Sequence, residues 1–332
     1  MTPSRAMVLA AGLGTRMRPL TDLRPKPALP VLNRPLIHHV LEHLARHGVR
    51  FAVVNSHSHA EALEQAVSRW IPEGMEVAFS REKEILGTAG GLQKAARHFR
   101  RGTFYLVNSD SLTDVDLSEA AAAHAAAGRM ATLVVKPHIA AEGYRPLEVA
   151  GGGIPVPRVT ALAGRRWGAG GEERTFTGIH LIEPAVLDAI PPGRATDINA
   201  EVYPGLLEKD RESVGAWMHQ GWWFEAGTPE RYLELNLTAL DRQGRNSVFG
   251  PGFFLDEEAQ VSRSVIGEGC TLAAGARVSE SVLWDNVTVG QGVMLHRCVV
   301  TDGVMLPMGG SWERRILMRG EEGVTDHPLT PS

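Results

Sequence analysis

Cysteine is scarce: the chain holds two, Cys270 and Cys298, both late in the sequence. A secreted disulfide framework needs more of them. Long apolar runs are missing too. Ala6-Met7-Val8-Leu9-Ala10-Ala11 is too short for a signal-peptide core and lacks a basic leader. No stretch approaches the ~20 apolar residues of a membrane helix, so we expect a cytoplasmic chain with no membrane partner. Positive charge is not in excess, since 34 Lys and Arg face 38 Asp and Glu for a formal net charge of -4. Counterion release therefore cannot drive binding to a nucleic-acid polymer, and no such partner is expected. A hydrophobic content of 43% at low net charge excludes disorder. The most telling scarcity is lysine, with five (Lys26, Lys83, Lys94, Lys136, Lys209) among the 34 basic residues. A lysine in this chain is not the default cation.

The 332 residues suit one large domain and a smaller one. Up to roughly residue 240, short apolar runs alternate with helix-period segments, the pattern of an α/β, Rossmann-like domain with a mainly parallel sheet. Strands are predicted at Ala6–Ala10, Phe51–Asn55, Glu76–Phe79, Thr103–Asn108, Ala131–Lys136, Thr175–Leu181 and Ser213–Met218. Helices are predicted between Asn33 and Gly48 and at Ala60–Trp70, Ala89–His98 and Leu117–Ala127. For the first of these, Asn33 is the expected cap, Pro35 suits the first turn, and Gly48 is the left-handed stop.

Beyond Asn246 the pattern changes. Ser264-Val265-Ile266 recurs as Ser281-Val282-Leu283 and Cys298-Val299-Val300, and backwards as Ser247-Val248-Phe249, each 17 residues apart. A second apolar position follows in each repeat, at Leu255, Leu272, Val289 and Leu306. Aliphatics about every six residues, with glycine between, predict a β-solenoid in which each short strand turns one side chain inward. The spacing resembles the hexapeptide repeats of left-handed parallel β-helices.

The chemistry begins at Leu9-Ala10-Ala11-Gly12-Leu13-Gly14-Thr15-Arg16-Met17, where a predicted strand enters a glycine-rich turn followed by a basic residue. Such glycines let backbone N–H groups approach an anion, and an arginine adds a bidentate clamp. The turn is neither a Walker A loop nor the dinucleotide fingerprint, since Met17 stands where the third glycine would be. Pro25-Lys26-Pro27 then places a lysine between two residues of fixed φ. A stiffly held lysine near a phosphate-cradling loop suits a polyphosphate.

Together, Ala10-Ala11-Gly12-x-Gly14-Thr15-Arg16-Met17-x-Pro19-Leu20-Thr21, Pro25-Lys26-Pro27 and Asn33-Arg34-Pro35-Leu36-Ile37 resemble the sugar-1-phosphate nucleotidyltransferases, or nucleotide-sugar pyrophosphorylases. The likeness extends through Leu86-Gly87-Thr88-Ala89-Gly90, Asn108-Ser109-Asp110, Thr177-Gly178-Ile179 and Gly227-Thr228-Pro229 into the repeats. Within the family the chain looks most like the mannose-1-phosphate guanylyltransferases. The resemblance implies a catalytic domain over residues 1–243, a left-handed β-helix over 244–312 and a C-terminal tail over 313–332. It implies that a sugar 1-phosphate attacks the α-phosphorus of a nucleoside triphosphate with Mg²⁺ present, and that pyrophosphate leaves.

Carried over by motif, Leu9, Ala11, Gly12, Gly14 and Thr15 surround the nucleotide. Arg16 faces the β- and γ-phosphates, and Lys26 the α-phosphate. Asp110 is the first metal ligand. Glu225 is the second, where the family usually carries Asp. Gly87 and Thr88 border the base, with Glu82 facing it. An ionised carboxylate there accepts two hydrogen bonds from guanine but one from uracil, which favours GTP. On the sugar side, Asn108, Thr177 and Gly178 match the family, whereas its Glu-Lys pair is replaced by Arg165-Arg166, leaving Arg166 as the expected phosphate clamp. Rival readings are a heptose- or glucose-1-phosphate enzyme, a UTP-using one, and a non-catalytic subunit that senses nucleotide sugar. The β-helix, with open coil edges, offers a surface for a homo-oligomer.

Overall fold

The computed structural model describes residues 2–151, 153–321 and 323–330. Two compact units divide the chain: Met1–Leu13 with Ile37–Phe224, and Gly14–Leu36 with Glu225–Ser332. No helix among the described residues is long and apolar enough to cross a membrane.

The first unit is α/β. Its elements are β1 (Arg5–Leu9), α1 (Leu36–Arg46), β2 (Phe51–Ser56), α2 (Ala60–Arg69), β3 (Glu76–Arg81), α3 (Gly87–Lys94), β4 (Phe104–Asn108), α4 (Leu117–Ala127), β5 (Ala131–Pro137), β6 (Glu172–Ile182) and β7 (Val214–Met218). Strands β3, β2, β1 and β4 are parallel neighbours, in register through Val8↔Val54 and Leu9↔Asn108. Beyond β4 the sheet becomes mixed, because β6 runs antiparallel to both β4 and β5. Alternation sorts the strand residues between two cores. Met7, Val53 and Leu106 join one with Ala89, Leu92 and Tyr203. Ala6, Val8, Val54, Tyr105 and Val107 join the other with Ile37, Leu41 and Leu44 of α1. Layers on both faces explain why β1 reads as a continuous apolar run.

Helix α4 starts where Asp116 accepts the N–H groups of Ser118 and Glu119, and it ends at the left-handed Gly128. Gly48 likewise closes α1 at φ 89°. Asn33 does not cap α1. Leu32 and Asn33 both have positive φ, at 48° and 65°, and form the two-residue turn of a hairpin pairing Pro30-Val31 with Arg34-Pro35. The helix begins only at Leu36, whose N–H donates to the Leu29 carbonyl.

The second unit holds the β-helix. Three parallel faces repeat every 17 residues, with register Val248↔Val265↔Val282↔Val299, Leu255↔Leu272↔Val289↔Leu306 and Val261↔Val278↔Leu295↔Trp312. The repeating serine builds a ladder: Ser264 N–H donates to Ser247 Oγ, Ser281 N–H to Ser264 Oγ, and Cys298 N–H to Ser281 Oγ. Both cysteine thiols are buried and free, and burial pushes each up to about 11, so neither supplies a thiolate near neutral pH. The segment expected to be a tail continues the first face, where Arg315–Gly320 pairs parallel with Val299–Val300 and Gly323–Pro328 folds back antiparallel. Residues 322, 331 and 332 of that tail lie outside the described residues.

Candidate active site

In the first unit β1, β2 and β4 end at one edge of the sheet, where open α/β sheets bind ligands. Ser109 donates its N–H and its hydroxyl to the Leu9 carbonyl, at 3.2 and 2.6 Å. Ala10 N–H donates to Asn55 Oδ1 at 2.6 Å, and Asn55 Nδ2 donates to Glu82 Oε1 at 2.7 Å. Glu82 Oε2 accepts the Leu86 N–H at 2.9 Å. Ala11 is buried, whereas Gly12 borders open space, with no atom within 4 Å of where a Cβ would lie. The strand thus ends in a fixed carboxyl terminus with an open glycine beyond it.

Glu82 corrects the sequence reading. It is 5% exposed, and both oxygens already accept protein N–H groups. A Cβ at Gly91 would fall 2.6 Å from Oε1, so the glycine makes room for this carboxylate beneath α3. Accepting both guanine donors requires two open carboxylate oxygens. This carboxylate instead ties the end of β1, through Asn55, to the entry of α3.

Gly87 has φ 70°, and a Cβ there would meet the Thr196 carbonyl at 2.6 Å. That carbonyl accepts the Ala89 and Gly90 N–H groups at 2.9 and 3.2 Å. Thr88 Oγ1 donates to Asp197 Oδ2 and accepts the Ile198 N–H. Leu86–Gly90 is therefore clamped to Thr196-Asp197, a segment that the sequence reading missed because no local signal links stretches more than 100 residues apart.

Asn108 and Gly178 do come together. Gly178, φ 84°, sits where the β6–β5 register shifts, and a Cβ there would lie 2.7 Å from Asn108 Nδ2. Thr177 is buried, its hydroxyl donating to the Val134 carbonyl at 2.8 Å. Asp110, two residues past β4, is half-buried. Arg166 is not brought to this corner. It lies on the outer strand Arg165–Arg166, three strand spacings from β6, or about 14 Å. There it forms a bidentate pair with Glu148 and holds that carboxyl below the usual range.

A different cation is linked to Thr177 through Trp223: it stands on β5 opposite Thr175 of β6. Lys136 on β5 pairs with Glu142 at 2.8 Å and lies 5.3 Å from the Trp223 ring centroid. The Trp223 indole donates to the Thr177 carbonyl at 2.8 Å, and Tyr144 packs edge-on against it at 5.3 Å. A signal existed: Lys136-Pro137, like Lys26-Pro27, sets one of five lysines before a proline.

The second unit carries the other group of expected residues. Gly14, φ 60°, has its carbonyl held by Thr21 Oγ1 at 3.0 Å, and a Cβ there would crowd Lys26 Cβ at 3.3 Å. Thr15–Met17 forms one 3₁₀ turn that buries Met17 and leaves Arg16 exposed. Lys26 is buried at the start of another turn, Lys26–Ala28. Glu225 Oε1 lies 3.6 Å from Arg16 Nη2 and 3.9 Å from Lys26 Nζ. Gly227-Thr228-Pro229 starts the helix α5 (Pro229–Arg242), Thr228 capping the Arg231 N–H, and Arg231 Nε returns to the Glu225 carbonyl at 3.0 Å. The motif thereby fixes Glu225 between two cations.

No group of three or more His, Cys, Asp and Glu among the described residues is arranged to hold a metal. A structural zinc would need such a group. The donors expected here, Asp110 and Glu225, are hard carboxylates, and magnesium takes one or two of those with phosphate oxygens completing its shell. Each of the two is a donor of the type Mg²⁺ takes, Asp110 in the first unit and Glu225 in the second.

Comparison with known proteins agrees with this architecture. Residues 5–242 match the family model described as Nucleotidyl transferase, so the chain belongs to that family. Residues 238–311 match a GlmU-like, C-terminal hexapeptide, in accord with the β-helix. Among relatives, a UTP--glucose-1-phosphate uridylyltransferase of Synechocystis sp. is 30% identical over 268 residues, 73% of this chain and 65% of the relative. A mannose-1-phosphate guanyltransferase of Schizosaccharomyces pombe is 31% identical over 256 residues, 74% of this chain and 68% of the relative. One from Candida albicans is 30% identical over 275 residues, 77% and 73% of the two chains.

Proposed function

We propose that the protein is a sugar-1-phosphate nucleotidyltransferase, and that GTP and mannose 1-phosphate are its substrates. The observation that carries the reading is the group formed by Arg16, which follows the glycine loop, with Lys26 and Glu225, two cations around one carboxylate. Such an array suits a polyphosphate that brings its own cation.

In the proposed reaction a phosphate oxygen of the sugar 1-phosphate bonds to the α-phosphorus, and the α–β bridging P–O bond breaks. Pyrophosphate leaves with that bond's electron pair. Arg16, exposed and long, is suited to following the β- and γ-phosphates. Lys26, buried and held by its turn, is suited to neutralising the α-phosphate, where charge grows. Asp110 and Glu225 would be the carboxylates that hold Mg²⁺, which when bound would supply further charge neutralisation. Asn108 and the bulged Gly178 would border the sugar, with Lys136-Glu142 replacing Arg166 as the polar contact there.

Preference for GTP and mannose 1-phosphate rests on the names of the guanyltransferase relatives, because Glu82 no longer supports it. The uridylyltransferase relative makes UTP with glucose 1-phosphate the second pair to test. The test is pyrophosphate release from each triphosphate with a panel of sugar 1-phosphates. Turnover with one pair supports the reading. Tight nucleotide-sugar binding with no turnover for any pair would replace it with a sensing subunit.

A further inference from the structure

The segment carrying Lys26 is fastened at both ends to the β-helix and to α5. Before it, Arg24 Nη2 donates to Asp302 Oδ2 at 2.7 Å and lies 3.6 Å from Asp285 Oδ2. The same guanidinium sits 5.0 Å from the ring centroid of Trp284. Asp285 and Asp302 occupy equivalent positions of successive coils, and Asp302 Oδ1 accepts the Asp285 N–H at 3.0 Å. Two like charges on neighbouring rungs need a shared cation, and Arg24 supplies it.

After Lys26, the Tyr232 hydroxyl donates to the Pro30 carbonyl at 2.5 Å, and the Trp284 indole donates to that hydroxyl at 3.1 Å. Trp284 therefore bears Arg24 on one face and steadies the grip on Pro30 through its N–H. Further on, Leu32 N–H donates to Asn236 Oδ1 at 3.0 Å, and Asn33 Nδ2 to the Ile266 carbonyl at 2.7 Å. Between these anchors the chain makes one short turn, Lys26–Ala28.

We propose that Arg24, docked on Trp284 and Asp302, is a positioning residue through which the β-helix sets where the Lys26 ammonium lies. The inference rests on the role given to Lys26 above. It makes the repeat region part of the catalytic apparatus rather than an appended module. The lysine stem alone has four rotatable bonds, and misplacement of a catalytic group by about 1 Å costs on the order of 10²-fold in rate.

The test uses the full chain. Arg24→Met removes the latch and leaves Asp285 and Asp302 without their cation. Arg24→Met/Asp302→Asn removes the latch and also relieves that repulsion. We expect the single variant to lose stability and at least about tenfold in kcat. The double variant should regain most of the lost Tm while kcat stays low. Labelling of Lys26 by pyridoxal 5′-phosphate and borohydride, read by mass spectrometry, should change in both variants. Recovery of kcat together with Tm in the double variant, or wild-type kcat and Lys26 labelling in either, would overturn the proposal. Should Arg24→Met fail to fold, Arg24→Lys keeps the cation over Trp284 without the guanidinium fork, and is expected to fold with reduced kcat; wild-type kcat there would count against the latch. Lys26→Ala run alongside separates the two ideas. If it retains wild-type turnover, the role of Lys26 fails. If it is inactive while the Arg24 variants turn over normally, only the latch fails.

Discussion

Replacing Glu82 with alanine tests the inward-facing carboxylate most directly. The change strands one buried donor, Asn55 Nδ2, and one half-buried donor, the Leu86 N–H, which now donate to Oε1 and Oε2 at 2.7 and 2.9 Å. A hydrogen bond to a charged group contributes about 1.5–3 kcal/mol, so the expected loss of stability from the two is roughly 3–6 kcal/mol. Glu82→Gln keeps one acceptor but turns an NH₂ towards the other donor, for a loss of roughly 1.5–3 kcal/mol. Equilibrium urea unfolding measures both. The second readout is the ratio of kcat/KM for GTP to that for UTP. If Glu82 positions the end of β1 through Asn55 and Ala10, both rates fall together and the ratio holds within about threefold, or ~0.65 kcal/mol. An alanine variant of wild-type stability whose ratio shifts tenfold or more would refute the structural argument and return Glu82 to the base.

Lys26→Ala should lower kcat by about 10²-fold or more while the far-UV circular dichroism is unchanged, and near-wild-type kcat would remove it from the reacting phosphate. Glu225→Ala should raise the Mg²⁺ needed for half-maximal activity by roughly tenfold, checked by metal titration, since one of two carboxylates is gone. Lys136→Met should raise KM for the sugar 1-phosphate about tenfold with KM for the triphosphate unmoved; the opposite pattern would place it with the nucleotide. Burial holds His180 at about 3, from an ordinary 6.5, with Tyr203 Oη 2.9 Å from its Nδ1. Because the folded value is depressed, the native state binds fewer protons than the unfolded chain below pH 6.5. The stabilisation is full above that pH and is lost as pH falls towards 3. By pH 5 the loss is about 2 kcal/mol, and urea unfolding of His180→Gln across this range should show a shallower slope. His43, held at about 4 chiefly by burial, acts in the same direction and remains in the variant.

What could be read in the sequence follows from how locally each feature is set. The 17-residue ladder of Ser247, Ser264, Ser281 and Cys298 was legible because each coil repeats the same positions, and hydrogen bonds link those positions rung on rung. Gly14 and Lys26 were legible because glycine and proline punctuate the backbone wherever they stand. Asn33 was misread as a cap. Its residue type suits both a cap and a left-handed turn, and its pairing in the Pro30–Pro35 hairpin decided between them. Arg166 was misread because counting residues back from Thr177 cannot show that three strand spacings intervene.

The sequence by itself determined the alternation of strands and helices, the solenoid and its period, and the glycine turn with the 3₁₀ turns that carry Arg16 and Lys26. Local conformational preference and periodic burial suffice for these. Only the tertiary structure decided which charges are already answered. It turned Glu82 inward onto Asn55, paired Arg166 with Glu148, set Lys136 beside Trp223, and held Arg24 against Asp302 across 278 residues. The physical reason is that a carboxylate or guanidinium takes its role from whatever lies within about 4 Å of it. Sequence names the charge, and the fold supplies its partner.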